Sequence, residues 1–189
     1  MKLYSITDPE FFGKTPKQLE ISLHKLFQNH TPDFICFRDK TNYSSNTYHD
    51  NLAETFINTI KTINPAKTKI FINTHFHLAK KLNFDGVHLT SKQFTEIEEA
   101  KSLGLEVIIS THNNNDIQLA MKYNADYVTY SPIFTTPNKG NPKGLEDLKE
   151  TVDTMPLKIF ALGGIVTKNH VEQIKNSGAY GFASIRYFI

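Results

Sequence analysis

The sequence predicts an α/β chain folded as a single compact (β/α)8 TIM barrel, and three observations carry that expectation. Eight short runs rich in Ile, Val, Phe and Tyr recur along the chain, the composition that strands favour. Amphipathic stretches separate them, and regular strand–helix alternation implies right-handed crossovers and a parallel sheet. Eight strand repeats favour a closed ring over an open doubly wound sheet. No shift in composition marks a boundary, so residues 1–189 read as one domain.

The elements follow in order. A strand over 2–7 precedes a helix over 16–28, which starts at Thr15-Pro16, an N-cap followed by proline at the first helical position. A strand over 33–38 leads to a helix over 46–63, where Leu52, Phe56, Ile57, Ile60 and Ile63 recur at helical spacing. Strands over 69–73, 86–89, 106–110, 127–130 and 158–162 alternate with helices over 75–82, 94–103, 115–123, 145–154 and 167–176. A last strand covers 181–185. Asn83, Gly104, Asn124 and Gly178 sit just past four of the helices, where a left-handed C-cap residue is common.

Composition narrows the function classes. The chain has 189 residues, a formal net charge of +2 and a single cysteine. One cysteine excludes a disulfide framework and a cysteine-based zinc site, and suits a reducing cytoplasm. No apolar run approaches the roughly 20 residues that span a bilayer, and the N-terminus turns acidic at Asp8, too soon for a signal peptide. The near-neutral charge makes no case for nucleic acid. A cytoplasmic protein acting on small molecules is expected, with neither membrane nor nucleic acid as partner. Length adds a structural expectation. Barrels of this type use about 250 residues and compact ones about 200, and here the chain stops just after the eighth strand. The final helix is therefore expected to be missing, leaving an apolar gap between the first and seventh helices. A homodimer, or another element, is expected to cover it.

In such a barrel the segments after the strands form the C-terminal rim, where active sites are built. Alternation puts Phe34, Cys36 and Arg38 on one face of the second strand, so Arg38 and then Lys40 reach the rim. Two cations there suit phosphate or pyrophosphate, Arg by a bidentate fork and Lys as a point charge; a solvated loop with an Arg–Asp pair is the alternative. Asn73 ends the third strand, to bind a ligand oxygen or to cap the next helix. His75, His77, His88 and His112 raise a metal-dependent hydrolase, but no clear rim carboxylate accompanies them. The loop 135–144 offers Thr136, Asn138 and Lys139. Gly163-Gly164 follows the seventh strand, where backbone N–H groups and a helix start receive phosphate, and Arg186 follows the eighth.

Together these segments resemble the thiamine-phosphate synthase/TenI family over nearly the whole chain. Leu3-Tyr4-Ser5-Ile6-Thr7-Asp8, Phe37-Arg38-Asp39-Lys40, Gly86-Val87-His88-Leu89 and Pro132-Ile133-Phe134-Thr135-Thr136-Pro137-Asn138-Lys139 occur in the family's order, followed by Gly144-Leu145-Glu146, Gly163-Gly164-Ile165 and Gly178-Ala179. The resemblance implies a synthase that joins a pyrimidine pyrophosphate to a thiazole phosphate. It assigns Arg38, Lys40, Asn73, Ser110 and Lys139 to the pyrophosphate, and Thr136, Asn138, Gly163, Gly164, Ile185 and Arg186 to the thiazole phosphate. The departures matter as well. The family's two Mg²⁺ aspartates are Thr74 and Gln93 here, so Mg²⁺ affinity is expected to fall. Its pyrimidine-reading Gln is Cys36, the second threonine of its Thr-x-Thr segment is Asn138, and a late serine is Arg186. Lost Mg²⁺ ligands also fit a TenI-like thiazole tautomerase, yet that enzyme's histidine base corresponds to Pro132. A non-catalytic phosphate-binding or regulatory relative is the third alternative.

Overall fold

The computed structural model describes residues 1–40, 46–63, 68–137 and 139–189. Eight parallel strands close into a ring in sequence order: β1 (Lys2–Ile6), β2 (Phe34–Phe37), β3 (Lys69–Asn73), β4 (Gly86–Leu89), β5 (Glu106–Thr111), β6 (Tyr127–Tyr130), β7 (Lys158–Leu162) and β8 (Gly181–Ser184). Closure is made by β8 on β1, with Lys2 opposite Gly181 and Ser5 opposite Ser184. Outside lie α1 (Pro9–Phe12), α2 (Pro16–Asn29), α3 (Asn46–Ile63), α4 (Phe76–Leu82), α5 (Ile97–Ser102), α6 (Asn114–Lys122), α7 (Gly144–Thr154) and α8 (Lys168–Lys175). The closed α/β barrel expected from the alternation is thus the fold. The four-residue helix α1 was not foreseen.

Local chemistry starts and stops these helices as expected. Thr15 and Gln18 form a capping box at α2, with Pro16 in the first turn. Asn83 ends α4 in the left-handed conformation at φ 58°. Two apolar layers result. The larger lies between strands and helices; the smaller fills the barrel with Tyr4, Phe34, Cys36, Phe71, Ile108, Tyr127 and Phe160. Two glycines make room for two of those rings. Gly86 sits opposite Phe71 in register and Gly181 opposite Phe160. A Cβ on Gly181 would stand 2.6 Å from Phe160 Cε1.

As expected, no α-helix follows β8 among the described residues. A 3-10 turn over Arg186–Phe188 follows the strand directly. Phe182, on the outer face of β8, is fully buried, with Phe188 stacked at 5.9 Å and Tyr187 edge-on at 5.0 Å. His30, at the end of α2, meets both rings of the turn. Two aromatic side chains thus pack over Phe182 on the outer face of β8. Overpacking of a filled interior costs about 1–3 kcal/mol. Gly181→Ala is therefore expected to lower stability by about that amount in urea unfolding, with little change in the slope of the transition.

Candidate functional site

The rim after β1 and β2 is built around Arg38. Its backbone N–H donates to Thr7 Oγ1 at 2.9 Å, which ties the ends of the two strands together. Its Nη1 donates to Asp8 Oδ2 at 2.7 Å, and both side chains are part-buried. The other oxygen of Asp8 accepts from Glu10 N at 3.1 Å and caps α1. The Arg–Asp pair considered from the sequence is present, and its acid is Asp8, thirty residues away. Lys40 is exposed. The Arg38 charge first, then partial burial, then the Lys139 charge hold its ammonium below the ordinary range. Arg38 and Lys40 follow β2 and Lys139 follows β6, so all three stand at strand ends on the rim.

A chain of polar side chains crosses the barrel beneath these cations. The Tyr4 hydroxyl and His88 Nδ1 lie 2.8 Å apart, and His88 Nε2 and Ser110 Oγ 3.1 Å apart. Asn73 Nδ2 donates to the His88 carbonyl at 2.7 Å. Asn73 does not cap α4; that place belongs to His75. Burial, and then the Arg38 charge, push the His88 imidazole down to about 3. Burial pushes the Cys36 thiol up to about 12. Cys36 is 0% exposed, so it lies below the rim and offers a ligand nothing in place of an amide.

Where β8 closes on β1 the rim carries a cleft of about 140 Å³ lined by Phe11, Thr136, Gly163, Gly164, Ile185 and Arg186, among others. The loop after β6 docks on the loop after β7, with Ile133 N donating to Leu162 O at 2.9 Å and Phe134 N to Gly163 O at 3.0 Å. The Ser131–Pro132 peptide is cis. Gly163 and Gly164 have φ of 99° and 71°, which side chains rarely adopt. A Cβ on Gly164 would also stand 2.7 Å from Thr135 O. The tight docking of the two loops thus requires both glycines. Thr136 Oγ1 donates to Phe134 O at 2.9 Å. Phe11 of α1 is a wall that the sequence reading missed. Asn138 and most of the loop 40–47 lie outside the described residues.

The two positions that the resemblance marks for Mg²⁺ hold no carboxylate. Thr74, at φ 65°, donates its hydroxyl to Asn73 O at 2.7 Å. Gln93 Oε1 accepts from Thr90 N and Oγ1 at 3.0 and 2.9 Å, and its Nε2 donates to Glu96 at 2.8 Å. Both side chains are used locally, and neither fits a cation that prefers carboxylate oxygens. Among the described residues no three His, Cys, Asp or Glu gather. Of the histidines considered for a metal, His75 packs against His49 with ring centroids 4.6 Å apart, His77 is exposed beside Glu99, His88 is inside the barrel, and His112 contacts Ser131.

The buried His88 sets a pH dependence. Between the ordinary value of 6.5 and about 3, the unfolded chain binds a proton that folded His88 does not. Stability therefore falls as pH drops through that window. His30, His49 and His75 are lowered by burial too and add in the same direction. Replacing His88 with Asn should remove up to about 1.4 kcal/mol per pH unit from the acid-side slope. The His88 ring resonances of the folded chain should not move across most of that window.

The family model described as thiamine monophosphate synthase matches residues 3–188. The thiamine-phosphate synthase of Salinibacter ruber is 35% identical over 124 residues, covering 62% of this chain and 54% of that protein. The thiamine-phosphate synthase of Caldicellulosiruptor bescii is 35% identical over 115 residues, covering 58% of this chain and 52% of that protein. The aligned stretch thus spans about half the length of these two relatives. Among solved structures, thiamine phosphate pyrophosphorylase from Pyrococcus furiosus superposes with a TM-score of 0.80 at 24% identity, over 97% of this chain and 85% of that one. That likeness carries the fold. By the match along nearly all of its length, the chain belongs to the thiamine monophosphate synthase family.

Proposed function

We propose that the chain is a thiamine-phosphate synthase-type transferase, joining hydroxymethylpyrimidine pyrophosphate to thiazole phosphate with release of pyrophosphate. The observation that carries this reading is that one rim offers two places for an anion, the cationic strand ends with Arg38, Lys40 and Lys139 and the glycine-lined cleft with Arg186. The first suits a leaving pyrophosphate and the second a phosphate that stays attached.

In this reading the pyrimidine methylene C–O bond breaks and its electron pair leaves with the pyrophosphate. Arg38, Lys40 and Lys139 neutralise that charge as it grows, where fixed cations help most. Ser110 and Asn73 supply hydrogen bonds to the same group. Thr136, the N–H groups of Gly163 and Gly164, Ile185 and Arg186 hold the thiazole phosphate, and Asn138 belongs to the same set by resemblance. The thiazole ring nitrogen then gives its lone pair to the methylene carbon. It carries no hydrogen, so the C–N bond forms without proton transfer. Two anions anchored on one rim hold the reacting atoms together. No step is routed through Mg²⁺, because Thr74 and Gln93 do not fit it.

Those two side chains favour a second reading, a phosphate-ligand-binding protein without turnover. The tautomerase reading is weaker, since Pro132 has no group that moves a proton. The homodimer rests on a narrow surface. Phe11 and Ile189, 36% and 52% exposed, border a groove of about 70 Å³.

The decisive assay incubates the purified chain with both substrates, with and without Mg²⁺, and follows pyrophosphate release. Product is expected, with only a few-fold effect of Mg²⁺. Lys40→Ala and Lys139→Ala should each lower kcat/KM by about tenfold to a hundredfold, the range for losing a charge-assisted hydrogen bond. Binding of both ligands without product would select the second reading; binding of neither would overturn both. Sedimentation should return a dimer, and a monomer would remove that expectation.

A further inference from the structure

We propose that Tyr4 is a positioning residue: through His88 it fixes the direction of the hydrogen bonds across the barrel, so that Ser110 presents its proton, and not a lone pair, to an anion at the rim. The inference rests on the proposed pyrophosphate site only for the identity of that anion.

The argument begins with Tyr4, which is 0% exposed. Burial raises its phenol well above the ordinary range, so the O–H stays intact and must be donated. Two acceptors are near. One is Cys36 sulfur, a weak acceptor. The other is His88 Nδ1 at 2.8 Å, the usual length for a good O–H hydrogen bond. The phenol therefore donates to Nδ1, which must carry the lone pair.

The tautomer follows. His88 is neutral in the fold, since burial and the Arg38 charge both oppose its protonation. A neutral ring with a lone pair on Nδ1 has its hydrogen on Nε2. That hydrogen points along the 3.1 Å contact to Ser110 Oγ. Ser110 is thus an acceptor on the histidine side, and its own hydrogen is directed elsewhere. The neighbour paired with it in register is Thr129. Thr129 Oγ1 is buried without a hydrogen-bond partner among the described residues, so it does not take that hydrogen. Ser110 is only part-buried, and its open side is the rim, where phosphate oxygens accept and do not donate. A reversed chain would present a lone pair to the anion and repel it.

Two measurements on the whole chain test this. Long-range ¹H–¹⁵N correlation of the ¹⁵N-labelled protein reports which ring nitrogen of His88 is protonated. The expected result is the Nε2–H form, converting toward Nδ1–H in Tyr4→Phe, where the donor to Nδ1 is gone. Calorimetric titration with inorganic pyrophosphate gives the second. Tyr4→Phe and Ser110→Ala should each weaken binding by about tenfold. The double variant should be little weaker than either alone, because both lose the same hydrogen bond. Ser110→Ala should leave the tautomer unchanged, and it guards against a folding defect in Tyr4→Phe. An Nδ1–H ring in the unaltered chain overturns the proposal, and so do additive losses in the double variant. An Nε2–H ring in a chain that binds no pyrophosphate overturns the pyrophosphate reading and leaves the tautomer assignment standing.

Discussion

Closure of β8 onto β1 is the constraint on which the rest of the structure depends. Residues that meet at the rim are far apart in sequence, and only a closed ring of parallel strands brings all eight strand ends to one side. Closure also dictates what fills the interior. Tyr4, Phe34, Phe71 and Phe160 occupy the middle of the barrel, and the ring tightens around them because Gly86 and Gly181 have no side chain to oppose them. A filled barrel keeps ligands at the rim and away from the centre. The Tyr4–His88–Ser110 chain is the link between the two, with one end packed among aromatic rings and the other at the site.

Charge is the second organising feature. The Arg38 charge first, then partial burial and the Lys139 charge, hold the Lys40 ammonium below its ordinary range. Asp8 offsets part of this through its 2.7 Å contact with Arg38. The same carboxylate caps α1, and α1 brings Phe11 to the wall of the glycine-lined cleft. One short helix thus links Arg38 to that cleft. In the proposed reading an incoming pyrophosphate would share the Arg38 guanidinium with Asp8.

Most of the fold was legible because its signals are local. Strands β3, β4, β6 and β7 have the bounds that their apolar runs suggest, and the capping box at Thr15 lies within four residues of sequence. What escaped was non-local or too short. Helix α1 is four residues long and has no period to detect. The partner of Arg38 becomes visible only when β1 and β2 are neighbours. Asn73 looked better suited to cap a helix than to meet a ligand, and one N–H of its amide bonds across the sheet to the carbonyl of His88. The absence of an α-helix after β8 was legible, but not that Tyr187 and Phe188 fold back over Phe182. At the site, residue types showed where charge gathers. The direction of the hydrogen bonds at Ser110 needed distances.

The central claim is that one rim holds two different anions at once. It is tested most directly by ³¹P NMR of the chain with inorganic pyrophosphate and thiazole phosphate added together. The account predicts two sets of bound resonances that persist together, each at one equivalent. Displacement of either ligand by the other would show a single shared anion site and contradict it.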